Sequence, residues 1–419
     1  MQNPASFLRS LFDRAVEVAD PIQSLAAFLP PRPEQLVVVG AGKASARMAE
    51  AVEAEYGPCD GLVVTRYGYA RPCQGVEIVE ASHPVPDQAG EAATRRILDI
   101  LDNCGENETV LALISGGGSA LLTAPAGGIT LAEKQNLTND LLASGAPIGE
   151  INGIRKQISA VKGGKLAAAA YPAKMIALLI SDVPGDNPGD IASGPTVGND
   201  GDAARALEAL AFWNVRPPAS VEAFLKSGGA PMSAKDPRLE RVENVIYAAP
   251  SQSLAAAADV AKAKGCRVCI LGDALEGEAR DVAIQHAQDA LCIQAELGPD
   301  DPPVVLLSGG ELTVTRRGDG VGGPNAEYAL AMALELDGAP GICAIACDTD
   351  GVDGAADVAG ALIGPETLEK ARNLTIDPRV SLAQNDAHTF FDRVGDQVIT
   401  GPTLTNVNDF RACLVQFQE

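Results

Sequence analysis

The feature that most restricts the fold is a repeated order of strand, glycine turn and helix. Continuous apolar runs such as "LVVVGAG" (residues 36–42) and "TVLALISGGGS" (residues 109–119) end in glycine and lead into helix-compatible sequence. Strands of this uninterrupted apolar kind are buried on both faces, and the helices between them connect parallel strands. The sequence therefore predicts an α/β fold with a doubly wound, Rossmann-like parallel sheet over about residues 35–200.

A second α/β domain is expected after a change of character near residues 213–241. That stretch contains "RPPAS" and "SGGAPMSAKDPRLE" and lacks long-range apolar periodicity. Strand-like runs resume with "RVENVIYAAP", and a chain of 419 residues exceeds what one core normally fills. We therefore predict an N-terminal domain over residues 1–235 and a C-terminal domain over residues 236–419.

Charge and cysteine content exclude several functional classes. The formal net charge is -23, which repels nucleic acid and anionic membranes, so an anionic substrate must be caught by a locally basic or amide-lined pocket. The nine cysteines show no regular framework, which indicates reduced thiols and a cytoplasmic protein. No apolar run approaches the length needed to span a bilayer. Neither nucleic acid nor membrane is expected as a partner.

The turn "SGGGSA" predicts a site for an anion. The amides of Gly116–Gly118 and the hydroxyls of Ser115 and Ser119 could bind a phosphate or a carboxylate. Lys43, in "GAGKAS", follows another buried strand where a helix begins, and its ammonium group could hold the same anion. The alternatives are a close helix–strand contact at the glycines and an ordinary surface lysine.

Two common motifs do not fit the turn around Lys43. A phosphate-binding P-loop requires glycine where Val37 stands. A dinucleotide fingerprint requires glycine where Ser45 stands, and an acidic residue where the next strand ends in Thr65 and Arg66. The sequence therefore supports neither a P-loop nor an NAD site.

A basic run and an acidic loop follow the glycine turn. Within "INGIRKQISAVKGGKLA", Arg155 shares the apolar phase of Ile151, so it is interpreted as an inward-facing anion clamp; a solvated helix face is the alternative. In "SDVPGDNPGD", Asp182, Asp186 and Asn187 lie at and beyond the end of a strand. They suit Mg²⁺ coordination or acceptance of a substrate proton, or they are ordinary turn residues.

Polar residues in the second domain are candidates for ligand contact. Glu311 follows paired glycines in "SGGELTV", and Thr405, Asn406 and Asp409 lie in "TGPTLTNVNDF". Such side chains can cap helices and turns, or can line a cleft for a polyhydroxy acid. His83, in "ASHPVPD", is interpreted as a structural turn residue, and no G-x-S-x-G pattern supports a serine hydrolase.

Taken in order, these motifs resemble a known family. The segments "GAGKAS", "SHPVPD", "SGGGSALL", "INGIRKQISAVKGGKLA", "SDVPGDNPGDIASGPT", "LLSGGE", "GGPNAEYAL", "DTDGVDG" and "TGPTLTNVND" are similar to those of glycerate 2-kinases of the MOFRL family. The resemblance extends from about residue 7 to residue 417. It implies ATP-dependent, Mg²⁺-assisted phosphorylation of D-glycerate at its 2-hydroxyl, in a cleft between a Rossmann-like domain and a C-terminal MOFRL domain.

The resemblance also implies roles for individual residues. Lys43 would stabilise the transferring phosphoryl group, the glycines of "SGGGSA" would cradle phosphates, and Asp182, Asp186 and Asn187 would serve the metal or the nucleotide. Pattern and resemblance together give these expected residues: catalytic, Lys43, Arg155 and Asp182; nucleotide-binding, Ser115, Gly116, Gly117, Gly118, Ser119, Asp186, Asn187, Glu311 and Asn325; substrate-binding, Lys43, Arg155, Thr405, Asn406 and Asp409; metal-binding, Asp182 and Asp186. A homodimer is one assembly that the resemblance allows.

One departure from the family pattern affects the charge at the site. Many relatives carry arginine where this chain has Pro324 and glutamine where it has Ala326. Because proline supplies no charge, the role of that arginine must pass to another cation or be absent, and Arg155 is the candidate.

The sequence is also compatible with two rival functions. The first is an NADPH-dependent hydroxypyruvate reductase, for which Arg66 could meet a 2'-phosphate. The second is a non-catalytic sugar-phosphate sensor, since "SGGGS"-type turns also occur in sugar-isomerase-like binding modules. A sensor would leave the aspartate loop unexplained.

Overall fold

The computed structural model describes residues 3–230 and 232–418, which form two compact units. The first helix, α1 (Pro4–Glu17), does not belong with the segment that follows it. Residues 21–181 and 186–247 form what we call the parallel-sheet unit. Residues up to Asp20, residues 182–185 and residues from 248 onward form the mixed-sheet unit.

The parallel-sheet unit has the strand order of a Rossmann fold. Its strands are β1 (Leu36–Ala41), β2 (Asp60–Arg66), β3 (Val76–Ala81), β4 (Thr109–Ile114), β5 (Lys174–Ile180) and β6 (Val242–Ala248), in the order β3-β2-β1-β4-β5-β6. The pairs β1–β2, β2–β3, β1–β4 and β4–β5 are parallel. The strand order reverses between β1 and β4, and such a switch point is where open α/β sheets bind ligands. The predicted doubly wound sheet is confirmed.

Helices flank these strands, and some of them begin at recognisable capping residues. They are α2 (Pro21–Ser24), α3 (Ser45–Tyr56), α4 (Gln88–Asp102), α5 (Gly118–Leu121), α6 (Leu131–Ala143), α7 (Ile148–Gln157), α8 (Lys165–Ala169), α9 (Ala203–Phe212) and α10 (Ala219–Lys226). Helix α4 begins where the Asp87 carboxylate accepts a hydrogen bond from Gly90 N, and α6 begins with a capping box between Thr130 and Glu133. Short 3-10 turns span Leu25–Phe28, Pro184–Asp186, Ile191–Ser193 and Pro237–Leu239.

The mixed-sheet unit contains the second α/β layer that the sequence predicts. Its strands are β7 (Arg267–Gly272), β8 (Gly277–Glu278), β9 (Val304–Gly309), β10 (Leu312–Thr313), β11 (Ile342–Asp348), β12 (Gly360–Ile363), β13 (Gln397–Val398) and β14 (Asp409–Val415). The main sheet has the order β13-β12-β11-β14-β9-β7, while β8 and β10 form a separate short pair. Strand β14 is antiparallel to both β9 and β11. The helices are α11 (Pro250–Ala263), α12 (Ala279–Glu296), α13 (Pro324–Leu336), α14 (Thr367–Asn373), α15 (Pro378–Ala383) and α16 (Ala387–Val394).

The compact units do not follow the predicted division at residues 235 and 236. The amphipathic face of α1 packs into the core of the mixed-sheet unit, where Phe12 lies 5.9 Å from Phe410 between ring centroids and Ser253 Oγ donates to Ala15 O. Strand β6, which the sequence analysis places in the second domain, is instead the last strand of the parallel sheet. Burial of apolar surface against a core distant in sequence decides the placement of α1, whereas β6 is placed by pairing beside β5.

Among the residues that the structure describes, no helix has the length and apolar character required to cross a membrane.

Candidate active site

The turns after β1 and β4 are joined into one structure at the switch point of the parallel sheet. Lys43 N donates to Gly116 O at 2.8 Å, and Ala44 N donates to Ser115 Oγ at 3.0 Å. A β-carbon on Gly42 would lie 2.1 Å from Ser115 Oγ, so this approach requires glycine. Ser115 is fully buried, and its hydroxyl also contacts Ser45 Oγ at 3.1 Å. The Ser115 hydroxyl therefore holds the two turns together.

On one side of the glycine turn lie Lys43 and His83. Gly117 has a φ of 77°, and a β-carbon there would lie 3.2 Å from Lys43 Cγ and 3.0 Å from His83 Cδ2. The structure thus brings together two predicted residues, Lys43 and Gly117, with a histidine for which the sequence analysis expects only a structural role. The signal for His83 was its place just after β3, because parallel strands end at the same edge of a sheet.

On the other side of the glycine turn, the structure places Arg155 and two hydroxyl groups. Ser119 Oγ lies 2.6 Å from Ser193 Oγ, and Arg155 Nη2 donates to Ser119 O at 3.4 Å. Arg155 Nη1 and Ser193 Oγ both donate to Asn152 Oδ1, at 3.2 and 3.4 Å. The predicted inward-facing Arg155 therefore meets the predicted Ser119, together with Asn152 and Ser193, which the sequence analysis did not select.

Two further lysines lie beneath this turn in the protein interior. Lys162 is fully buried, and its Nζ donates to Ser119 O at 2.9 Å, Leu122 O at 3.3 Å and Ala192 O at 3.4 Å. Lys134 is also buried, and its Nζ donates to Thr123 Oγ1. Lys134 shares the apolar phase of Leu137 and Leu141 in α6, which is the sequence signal that could have found it.

Burial lowers the pKa of Lys134, Lys162 and Lys165, the last of which donates from Nζ to Lys162 O at 2.8 Å. The pKa of Lys162 falls well below its ordinary value because of burial first and repulsion by Lys134 and other neighbouring cations second. Burial, with a further contribution from Arg155, lowers the pKa of Lys134 to about 7, and burial lowers that of Lys165 to about 8. Each of these groups would be stabilised in its charged form by an anion.

The cluster contains little negative charge to balance these cations. Within residues 3–230 and 232–418, no carboxylate forms an ion pair with Lys134, Arg155, Lys162 or Lys165, while Lys156 pairs with Asp190 at 3.8 Å. The Arg155 Nε atom is buried and has no hydrogen-bond partner among the described residues. Burying an unpaired charge is costly, so this arrangement is suited to an anionic ligand that supplies the missing counter-charge.

The acidic loop after β5 is divided between the two units. Asp186, in the parallel-sheet unit, has a φ of 52° and a buried Oδ1 without a hydrogen-bond partner in the described part of the chain. Asn187 Oδ1 accepts from Gly189 N at 3.0 Å, and its Nδ2 donates to Asp190 Oδ2 at 2.8 Å. Asn187 thus shapes the loop, whereas Asp186 keeps one carboxylate oxygen available.

Asp182 belongs to the mixed-sheet unit, where it meets the predicted polar segment before β14. Asn406 Nδ2 donates to Asp182 Oδ2 at 3.4 Å, and Asn408 Nδ2 donates to Asp182 O at 3.2 Å. Thr405 is buried, and its Oγ1 donates to Ala19 O at 2.8 Å. The contacts group Asp182 with Asn406, while Thr405 anchors the N-terminal segment of the chain.

Asp409 and Asn325 form a buried polar network in the mixed-sheet unit. Asn325 Nδ2 donates to Asp409 Oδ1 at 2.6 Å, and the Arg411 guanidinium pairs with Asp409 Oδ2 at 2.5 Å. Burial raises the pKa of Asp409 to about 6, although Arg411 opposes the shift. The Asp353 carboxylate accepts from the backbone N–H groups of Asn325 and Ala326 at the start of α13, after Pro324.

Glu311 is exposed beyond β9 and is not part of the network around Asp409 by any hydrogen bond in the described residues. No group of three or more His, Cys, Asp or Glu side chains arranged to hold a metal ion was found in the described residues.

The sequence and fold both match known proteins. Residues 7–226 match the "Domain of unknown function (DUF4147)" model, and residues 304–409 match the MOFRL family model. The D-glycerate 2-kinase of Thermotoga maritima is 38% identical over 95% of this chain and 93% of its own length. The chain belongs to the MOFRL family of glycerate 2-kinases.

Other proteins that are similar to this chain carry two different names. A crystal structure of glycerate kinase from Thermotoga maritima has a TM-score of 0.90 and 35% identity, and the match covers 99% of this chain and 100% of that one. A protein of Agrobacterium vitis named "Putative hydroxypyruvate reductase" is 49% identical over 97% of this chain and 94% of its own length. The MOFRL family resemblance and the two-unit α/β fold expected from the sequence are confirmed.

Proposed function

We propose that this protein is an ATP-dependent kinase that phosphorylates the 2-hydroxyl of D-glycerate, giving 2-phosphoglycerate and ADP. The observation that carries the proposal is the cation cluster around Arg155 and Lys162, which has almost no carboxylate partners and lies against the glycine turn. Phosphoryl transfer depends mainly on positioning and on neutralising negative charge. The glycerate kinases of Thermotoga maritima and other organisms support the same assignment.

The residues of the parallel-sheet unit fit the phosphates of ATP. Lys43 and the turn from Gly116 to Gly118 are proposed to bind the transferring phosphoryl group, and Arg155 is proposed to bind glycerate. Because this chain has Pro324 where many relatives carry arginine, Arg155 is also the proposed source of the missing positive charge. Its unpartnered Nε supports that assignment.

Mg²⁺ is the proposed metal, with Asp186 of the parallel-sheet unit as a ligand, while a role of Asp182 as a metal ligand stays a prediction. The unpartnered Asp186 Oδ1 supports this proposal, since carboxylate oxygen is the ligand that Mg²⁺ prefers. When bound, Mg²⁺ would neutralise charge on the nucleotide phosphates. Nucleotide contact by Ser115, Asn187, Glu311 and Asn325, and substrate contact by Thr405, Asn406 and Asp409, stay predictions.

Hydroxypyruvate reduction with NADPH is the second candidate, because a close relative carries that name. In a dinucleotide-binding turn, backbone N–H groups after the first strand bind the pyrophosphate. Here Lys43 N and Ala44 N already donate to Gly116 O and Ser115 Oγ. Arg66, the residue that favoured NADPH, stacks over the Tyr69 ring at 5.4 Å. These contacts favour the kinase.

A coupled assay tests the proposal directly. Purified protein is given Mg-ATP and D-glycerate, with enolase added to detect 2-phosphoglycerate, which enolase accepts while rejecting the 3-isomer. Enolase-competent product that requires enzyme, metal and D-glycerate supports the kinase. ADP formation that requires D-glycerate and releases no inorganic phosphate, but gives no such product, means that another hydroxyl is phosphorylated. Oxidation of NADPH by hydroxypyruvate without ADP formation would replace the kinase by the reductase.

The protein is also proposed to be cytoplasmic. All nine cysteines are free thiols in the structure, which agrees with a reducing compartment. A homodimer remains a prediction that light scattering after size-exclusion chromatography would test.

A further inference from the structure

The side chains on the Ser119 side of the glycine turn offer a mixed set of hydrogen-bonding groups. Arg155 can only donate, Asn152 Oδ1 can only accept, and the hydroxyls of Ser119 and Ser193 can do either. The four side chains are linked by contacts of 2.6 to 3.4 Å, and Arg155 Nη2 also donates to the Ser119 backbone carbonyl at 3.4 Å. They come from α5, α7 and the 3-10 turn Ile191–Ser193, so the fold brings them together from three separate segments.

This mixture distinguishes between the two anions that the turn could hold. The phosphate oxygens of a fully ionised nucleotide only accept hydrogen bonds, so an acceptor such as Asn152 Oδ1 would repel them. A hydroxy acid presents two carboxylate oxygens that accept and a hydroxyl that donates. Planar guanidinium groups bind carboxylates with two parallel hydrogen bonds, and Arg155 still has an unpartnered Nε.

The segment that carries Ser193 is held in a conformation that side-chain-bearing residues rarely adopt. Ala192 and Ser193 have φ values of 52° and 63°, in the left-handed region. Lys162 Nζ donates to Ala192 O, and Gly163 N donates to Ser193 O at 3.2 Å. Because Lys162 also donates to Ser119 O, this one ammonium group ties together both serine-bearing segments.

We propose that Ser119, Asn152, Arg155 and Ser193 form a subsite for a small hydroxy carboxylate. The Arg155 guanidinium binds the carboxylate, and the hydroxyls of Ser119 and Ser193 bind a hydroxyl group, with Asn152 Oδ1 orienting Ser193 and Arg155 by accepting from both. Lys162 is a positioning residue that holds the subsite in shape. The inference rests on the proposed kinase function and divides the glycine turn: the acid occupies the Ser119 side, and the phosphates occupy the side of Gly117 and Lys43.

Isothermal titration of the purified protein separates binding of the two ligands. D-glycerate and adenylyl imidodiphosphate with Mg²⁺ are titrated separately into the wild type, Arg155→Met, Asn152→Ala and the control Arg96→Met, whose exposed side chain pairs with Glu77. We expect the Kd for D-glycerate to rise at least about ten-fold in Arg155→Met and about three-fold or more in Asn152→Ala. The Kd for the nucleotide analogue should stay near the wild-type value, and Arg96→Met should match the wild type for both ligands.

The other results have distinct meanings. A weaker nucleotide Kd with an unchanged glycerate Kd would place phosphates on the Ser119 side and overturn the subsite, as would two unchanged values. If Arg155→Met fails to fold, Asn152→Ala decides, because position 152 lies in helix α7 and accepts alanine. A wild type that binds the nucleotide but not D-glycerate would overturn the proposed substrate itself. If the wild type turns over D-glycerate normally but the variants bind it unchanged, only the subsite is overturned.

Discussion

Replacing Gly118 by alanine tests whether the close packing of the glycine turn is required. An added β-carbon would lie 2.7 Å from Ala192 Cβ and 3.0 Å from Ala41 O, whereas carbon atoms in good contact are about 3.5–4.0 Å apart. Ala192 cannot easily retreat, because its carbonyl accepts from Lys162 Nζ. Overpacking of this kind costs about 1–3 kcal/mol. We expect the free energy of unfolding to fall by that amount, and kcat/KM for glycerate to fall with it.

Gly153→Ala provides the matched control. Gly153 is an interior residue of helix α7, and apart from the backbone of that helix no atom of the described residues lies within 4 Å of the β-carbon that alanine would add. Alanine in a helix interior is more stable than glycine by about 0.5–1 kcal/mol. The same chemical change should therefore lower the free energy of unfolding at position 118 and raise it at position 153.

Urea titration followed by tryptophan fluorescence measures both variants in the relevant unit. Trp213 is the only tryptophan in the chain, it lies in the parallel-sheet unit, and its Nε1 donates to Glu150. The two variants should differ by about 1.5–4 kcal/mol, the sum of the two effects. If Gly118→Ala is as stable as the wild type and retains full kcat/KM, the packing argument is wrong.

Three further predictions concern charge at the site. Lys43→Met should lower kcat by about 10²–10³-fold, while Lys226→Met, at a side chain that is 63% exposed, should not change it. The pKa values of Lys134 and Lys165 are lower in the folded chain, so above those values the unfolded chain binds more protons than the folded chain. Without ligand, the urea concentration at the unfolding midpoint should therefore increase when the pH is raised from 7 to 9. Over the same interval the KM for glycerate should rise, because the cluster loses positive charge; in Lys134→Met both slopes should become shallower. Asp186→Asn should raise the Mg²⁺ concentration for half-maximal rate about ten-fold or more with unchanged Trp213 fluorescence, and an unchanged requirement would remove Asp186 as a metal ligand.

Local sequence predicted the parts of the fold whose cause is local. Continuous apolar runs ending in glycine gave the strands β1 and β4, and the structure joins their turns through Lys43 N and Gly116 O. The helical phase of Arg155 with Ile151 correctly indicated a side chain turned toward the interior. In each case the deciding interaction is within a few residues or follows from the period of one helix.

The rest depends on contacts between residues distant in sequence. Nothing near Ser115 shows that its hydroxyl is used by Ala44, seventy-one positions away, and nothing near α1 shows that its partner is the mixed sheet. The sequence of the basic run is equally compatible with a solvated helix face, and only its packing against the sheet and Lys134 shows that it is enclosed. The left-handed backbone at Ser193 is also imposed from outside, by Lys162 and Gly163.

The packing of α1 against β14 sets an order for folding during synthesis on the ribosome. Residues of α1 leave the exit tunnel long before their partners in β14, because Phe12 precedes Phe410 by most of the length of the described chain. Strand β14 also lies between β9 and β11 within its sheet. The parallel-sheet unit, complete by residue 247, can fold while translation continues. The N-terminal helix must wait, and until β14 emerges its apolar face is a surface on which a nascent-chain chaperone can bind.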